Sequence, residues 1–209
     1  WNTKLAEQTG LQIGRDARSR GVAYSLGPGV NIYRSPLNGR NFEYLGEDPY
    51  LGSRLVVPFI NGLQSQGVSA TVKHFIGNNS EYWRNTSDSV IDERTMREIY
   101  LPIFEAAVKD AKTGAVMSSY NLVNGKYASA NNDIAQTILK GDWKFQGVYM
   151  SDWGATHATL GAVNGGVDLE MPSGAFMNRQ TILPLIKSGA VKESAIDDKV
   201  RRLLRTAIR

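Results

Sequence analysis

The run Gly147-Val148-Tyr149-Met150-Ser151-Asp152-Trp153-Gly154 carries a short apolar strand straight into a carboxylate, a tryptophan and a glycine. In a parallel α/β barrel the carboxyl ends of the strands hold the chemistry, so an Asp placed there points into the mouth. Asp152 is the candidate nucleophile. The alternative is an Asp that caps a following helix by accepting from its first free N–H groups. Three further strand ends or post-strand loops carry polar clusters: Arg40 with Glu43, Lys73-His74 with Arg84, and Ser119-Tyr120. All would open on one rim. Two arginines, a lysine and a histidine supply many donors, a set suited to sugar hydroxyls and to balancing one carboxylate. Trp153 offers an apolar plate for a sugar face, and a buried core Trp is its equal alternative. Taken singly, Lys73 reads as solvent-exposed, His74 as a satisfied structural histidine, and Arg40 and Arg84 as ordinary loop arginines. Convergence on one rim is what a catalytic face requires and what packing alone does not explain.

The elements that must position these groups alternate along the chain. A helix over residues 3–20 repeats Leu5, Thr9, Ile13 and Ala17 on one face, and a strand over 22–26 is broken by Gly27-Pro28-Gly29. After a charged loop, Pro49 opens a helix to about residue 66 with Leu55, Phe59 and Leu63 on one side. A strand over 68–72 delivers Lys73-His74 into a polar loop, 77–88. The stripe Met96, Ile99, Tyr100, Ile103, Phe104, Ala107 and Val108 marks one long helix over 92–112. A strand over 115–117 precedes a turn at Asn124-Gly125, a helix over 131–141 and the strand ending at Asp152. Next come a small-residue helix, 155–164, a fifth strand, 167–172, and helices over 177–187 and 193–208. In the last helix Ile196, Val200, Leu203 and Leu204 oppose Lys199, Arg201, Arg202 and Arg205, which reads as a solvated basic face. Five strands and seven helices in alternation imply right-handed crossovers and a parallel sheet. The class is α/β, a (β/α)8 TIM-type barrel that is incomplete, with residues 1–209 as a single catalytic domain.

Composition narrows the remaining classes. At 209 residues, 42% hydrophobic and 21% charged, the chain is an ordinary globular one, and no apolar run reaches the length of a membrane span. A net charge of +4 is spread over helices rather than gathered in a block, which speaks against nucleic acid. Without cysteine there is neither a disulfide nor a thiolate metal site, and no cofactor or metal is called for. The first residues enter a helical pattern with no leader, so a mature form or a fragment is expected. A periplasmic or secreted setting is expected ahead of a cytoplasmic one. The edges of an incomplete barrel invite pairing, so a homo-oligomer is an open expectation.

The motifs also carry a resemblance. Gly39-Arg40-Asn41-Phe42-Glu43, Gly46-Glu47-Asp48-Pro49-Tyr50-Leu51, Lys73-His74-Phe75, Met117-Ser118-Ser119-Tyr120-Asn121, Ser151-Asp152-Trp153 and Asp168-Leu169-Glu170-Met171-Pro172 resemble glycoside hydrolase family 3 in order and spacing. The similarity extends to Asp197-Asp198-Lys199-Val200-Arg201-Arg202-Leu203-Leu204 and is strongest to the β-glucosidases. It implies a retaining exo-β-glycosidase acting on terminal non-reducing β-D-glucosyl residues, with Asp152 attacking the anomeric carbon. It also implies that Arg40, Lys73, His74, Arg84 and Tyr120 line the subsite for the terminal sugar, with Trp153 close to its ring.

Two departures from the family pattern stand out. In β-glucosidases of the family the acid/base comes from a separate sandwich domain, for which nothing here matches. The aspartate of an early strand that holds the outer sugar hydroxyls has no counterpart after Trp1. The N-acetylglucosaminidase type is disfavoured, because the loop from Ile76 to Tyr82 lacks a histidine. Glu43 and Glu47 are expected to brace Arg40 rather than to act as the acid, and Asp168 and Glu170 to be structural. Two other readings remain at this stage: a sugar-binding barrel piece without catalysis, and a Schiff-base barrel enzyme using Lys73.

Overall fold

The computed structural model describes residues 1–208. In chain order the strands are β1 (Tyr24–Ser25), β2 (Ser69–Phe75), β3 (Asp88–Ser89), β4 (Ala115–Ser118), β5 (Leu122–Val123), β6 (Lys126–Tyr127) and β7 (Val148–Met150). The α-helices are α1 (Thr3–Ser19), α2 (Pro49–Gln64), α3 (Glu93–Thr95), α4 (Pro102–Lys109), α5 (Thr159–Asn164), α6 (Arg179–Lys187) and α7 (Glu193–Ile208). Four strands pair in the order β1-β2-β4-β7, all parallel, and β3-β5-β6 form a small separate sheet. Parallel neighbours in chain order give a barrel-like wall that does not close among the described residues. Every strand of this wall ends on the same rim.

Both faces of the wall are covered, which is why its strands read as unbroken apolar runs. Val116 and Tyr149 turn toward the main core with Val56, Ile60 and Leu63 of α2 and Ile103, Phe104 and Ala107 of α4. Ala115, Met117, Val148 and Met150 turn the other way, with Leu169 and Leu203 packed against them. The period of two along β4 and β7 thus sorts side chains between two apolar layers.

Several expectations from the sequence need correction. Residues 167–172 do not form a strand; they pair with β7 at one isolated bridge, Met150 to Leu169, with Asp168 bonded beside it to Tyr149. The helix expected over 92–112 is three pieces, α3, a π-helical turn Met96–Tyr100 and α4, because Pro102 has no N–H to continue the ladder. The helix over 131–141 has π-helical geometry, Asp133–Asp142, and that over 155–164 begins only at Thr159. Asn124 and Gly125, at φ 52° and 82°, form the left-handed two-residue turn that joins β5 to β6, strands too short to show in a periodicity.

The helix stripes also differ. In α1, Leu5 and Ile13 are exposed and the buried residues are Gly10 and Gly14. Backbone approach decides this face: a Cβ on Gly10 would lie 2.0 Å from the Phe59 carbonyl oxygen, and one on Gly62 of α2 2.1 Å from that of Glu7. In α2 Leu63 is buried as expected, but Val56 and Ile60 are buried in place of Leu55 and Phe59, together with Gly52 and Gly62. The basic face of α7 is not solvated throughout, because Lys199 and Arg202 are buried while Val200 and Leu204 are exposed. Lys199 Nζ donates to the Val163 carbonyl at 3.1 Å, and Arg202 Nη1 to those of Phe145 and Gly147 at 2.6 and 3.3 Å. These oxygens lie at the end of α5 and just before β7, where long cationic side chains reach carbonyls that a continuing helix or ladder would use.

Candidate active site

Asp152 leaves the end of β7 through Ser151, which is fixed on both sides. The Ser151 N–H donates to the Leu169 carbonyl at 2.9 Å, and its Oγ accepts from Met171 N at 2.9 Å. Asp152 is 7% exposed, and its Oδ1 accepts from the Trp153 N–H at 2.7 Å. Its Oδ2 is buried without a hydrogen-bond partner. The helix-cap reading of Asp152 fails, because α5 starts at Thr159 with Ala158 at its N-cap.

His74 and Lys73 reach the same place from β2. The pairing of β2 with β4 slips between Val72 and Phe75, an irregularity that re-aims the side chains at the strand end. The Lys73–His74 and Phe75–Ile76 peptides are cis. His74 Nε2 lies 3.5 Å from Asp152 Oδ2. Burial, then the charges of Arg40, Lys73 and Arg84, push its pKa down to about 2, so the ring is neutral and this contact is not an ion pair. Asn31 clamps the His74 backbone: its Oδ1 accepts from His74 N and its Nδ2 donates to His74 O, each at 2.9 Å. The other ring nitrogen, Nδ1, faces Asn31 Oδ1 at 3.2 Å and the Tyr44 hydroxyl at 3.5 Å.

The remaining predicted residues gather around this pair. Arg40 Nε and Lys73 Nζ converge on Glu43, at 2.5 Å from Oε1 and 3.4 Å from Oε2. Arg84 donates to Glu81 Oε2 at 2.7 Å, and its guanidinium carbon stands 4.1 Å from the centroid of the Tyr120 ring. Burial first, then the charge of Asp152, push the Tyr120 phenol up to about 12. Trp153 is 40% exposed, so it is not a buried core Trp.

The other acidic groups are committed elsewhere. Glu43 is held by Arg40 and Lys73, and Asp168 by Lys140 at 2.6 Å. The Glu170 carboxylate accepts from Phe176 N and Met177 N, the shortest contact 2.6 Å. Among the described residues no cluster of His, Asp and Glu could hold a metal ion. No helix is long and apolar enough to cross a membrane. Three supporting residues escaped the sequence reading: Asn31, Tyr44 and Glu81. The i,i+3 spacing of Glu81 and Arg84 was a usable signal. Asn31 gave none, since its partner His74 lies 43 residues away.

A family model described as the glycosyl hydrolase family 3 N terminal domain matches residues 1–206. The chain belongs to glycoside hydrolase family 3. It is 49% identical over 205 residues to a beta-glucosidase of Rhizobium radiobacter, covering 98% of this chain and 25% of that protein. It is 45% identical to thermostable beta-glucosidase B of Acetivibrio thermocellus, covering 98% of this chain and 27% of that one. The chain thus spans about a quarter of the length of the curated family 3 relatives it matches. Beta-glucosidase 3B of Thermotoga neapolitana, solved in complex with glucose, superposes with a TM-score of 0.95 at 41% identity, over all of this chain and 30% of that one. A Bifidobacterium adolescentis family 3 beta-glucosidase superposes at 0.96 with 38% identity, over 100% of this chain and 31% of that one.

Proposed function

We propose that these residues supply the nucleophilic half of a retaining β-glucosidase that removes terminal non-reducing β-D-glucosyl units. One observation carries the reading: Asp152 has one carboxylate oxygen pinned by Trp153 N and the other buried and unpartnered, with His74 Nε2 3.5 Å from it. An oxygen buried without a hydrogen-bond partner is costly unless a ligand uses it. Asp152 Oδ2 attacks the anomeric carbon as the bond to the aglycone oxygen breaks, and a carboxylic acid delivers its proton to that oxygen. Water, giving its proton to the carboxylate that acid has become, then attacks the anomeric carbon from the face the aglycone left and releases Asp152 as a carboxylate, so two inversions retain configuration. Arg40, Lys73, His74 and Arg84 donate to the sugar hydroxyls, contacts that tighten as the oxocarbenium-like transition state forms, and Trp153 covers a face of the ring. The partner is a β-glucoside or oligosaccharide.

The acid/base has to stand about 5–5.5 Å from the nucleophile in a retaining enzyme. Because Glu43, Asp168 and Glu170 are already engaged, we assign it to a part of the protein outside these residues. That commitment also favours a second reading of the residues taken alone, in which they bind sugar without turning it over. Lys73, paired with Glu43 at 3.4 Å, is engaged as a cation and is poorly prepared for Schiff-base chemistry. A cysteine-free chain is indifferent to redox compartment, and we place the protein in the periplasm or outside the cell.

Trapping with a 2-fluoro-glucoside in the full-length protein tests the assignment. A covalent adduct mapped by mass spectrometry to the peptide containing Asp152, and its loss in D152N, are the expected results. An adduct on any other carboxylate overturns it.

A further inference from the structure

The strand that delivers Asp152 is the outermost of the wall. β7 pairs on one side with β4, and on the other side residues 167–172 contribute only one bridge. On that side the Ser151 N–H has the Leu169 carbonyl at 2.9 Å, but the buried Tyr149 N–H has no backbone acceptor and has to find one elsewhere. At Tyr149 the substitute is a side chain: the Tyr149 N–H donates to Asp168 Oδ2 at 2.8 Å. The return contact is backbone, from Asp168 N to Tyr149 O at 2.7 Å.

The carboxylate that takes this N–H is itself immobilised. Lys140 Nζ donates to Asp168 Oδ1 at 2.6 Å and to the Gly166 carbonyl at 2.7 Å, so it ties Asp168 to the turn just before it. The Asp168 side chain is wholly buried and that of Lys140 nearly so. Such a pair earns little net stability against an apolar replacement, so a specific geometric task is the better account of its presence.

We propose that Asp168 is a positioning residue for Asp152. Its Lys140-held carboxylate supplies the acceptor that β7 lacks at Tyr149 and thereby fixes the strand end from which the nucleophile projects, three residues on. The inference rests on the reading of Asp152 as nucleophile.

The test uses the full-length protein and two double variants, D168N/K140M and D168A/K140M, neither of which leaves a lone buried charge. Asn keeps an oxygen for the Tyr149 N–H and Ala does not. The readout is the rate at which a 2-fluoro-glucoside is trapped, together with the inhibition constant of glucose. The Asn variant is expected to trap within about threefold of wild type. The Ala variant is expected to trap about 10²-fold more slowly, the scale of an ångström of misplacement, with glucose inhibition unchanged in both. Equal trapping rates in the two variants overturn the proposal, and so does an Asn variant as slow as the Ala one. A merely structural role would move glucose inhibition together with the trapping rate, and that result also overturns it. Amide hydrogen exchange of the wild type gives a measurement that no variant's folding can spoil. The Tyr149 amide is expected to be among the slowest, and exchange within minutes counts against the proposal. Failure of the wild type to trap on Asp152 concerns the nucleophile assignment alone and is read separately.

Discussion

Nε2 of His74 lies 3.5 Å from Oδ2 of Asp152, the buried carboxylate oxygen that has no hydrogen-bond partner. Asn31 Oδ1 faces the opposite ring nitrogen at 3.2 Å. A neutral imidazole has a single N–H, so the ring cannot donate to both oxygens at once. A proton on Nε2 serves Asp152 and leaves Nδ1 to accept from the Tyr44 hydroxyl, 3.5 Å away. Nε2–H then remains a donor at the edge of the carboxylate, and Asp152 stays ionised.

The state of His74 predicts an acid limb in stability. Its pKa falls from the ordinary value near 6.5 to about 2 in the folded protein. Between those values the unfolded chain holds a proton that the folded one does not, so stability rises with pH there and is lost as pH falls below about 6.5. The slope has an upper limit of about 1.4 kcal/mol per pH unit. Urea unfolding of wild type and H74Q between pH 4 and 8 checks this. The variant is expected to show the shallower dependence below pH 6.5 and a parallel one above it.

Glu43 holds two of the proposed sugar donors through one carboxylate, at 2.5 Å to Arg40 and 3.4 Å to Lys73. E43Q keeps the shape and removes the charge that aligns them. Charge-assisted hydrogen bonds are worth about 1.5–3 kcal/mol, so glucose binding is expected to weaken by about 10- to 100-fold. Calorimetric titration of glucose into the full-length variant reads this directly, and unchanged affinity would show that Arg40 and Lys73 hold their places without Glu43.

Tyr120 contributes a ring to Arg84 and a phenol whose pKa the charge of Asp152 raises, and substitution separates the two. Y120F keeps the ring under the guanidinium, so ground-state sugar binding should stay close to wild type while kcat/KM falls about tenfold, the scale of one hydrogen bond. Y120L loses both contacts and is expected to raise KM as well. Steady-state kinetics on an aryl β-glucoside distinguish the two patterns.

What the sequence made legible was the chemistry at strand ends. Asp152, Lys73, His74 and Tyr120 stand out because polar residues directly follow apolar runs, and the structure brings all four together with Arg40, Arg84 and Trp153. Helix faces were less legible, because a hydrophobic stripe assumes that apolar side chains do the packing. In α1 the packing is between backbones, so Gly10 and Gly14 are buried where Leu5 and Ile13 were expected. Residues 167–172 look like a strand by composition, yet the Asp168 and Glu170 carboxylates take backbone N–H groups at Tyr149, Phe176 and Met177. Side-chain acceptors replace a ladder there, and no periodicity encodes that.

Adjacent arginines in α7 offer the sharpest contrast between the two kinds of reading. Arg201 is exposed, as a solvated basic face requires. Arg202 is buried, donating to Asp198 Oδ2 at 2.7 Å and to the Phe145 and Gly147 carbonyls at 2.6 and 3.3 Å. Those carbonyls lie at the entry to β7, so the guanidinium ties the terminal helix to the strand that carries Asp152. R202M would keep much of the aliphatic stem but leave two backbone oxygens and a carboxylate short of a donor, at a cost of about 2–4 kcal/mol. R201M removes only an exposed charge and should stay within about 0.5 kcal/mol of wild type. Urea melts of both variants in the full-length protein decide the matter. Equal and small shifts would restore the solvated-face reading of the whole run, whereas a loss confined to R202M identifies this one arginine as the clasp between α7 and the strand beneath the site.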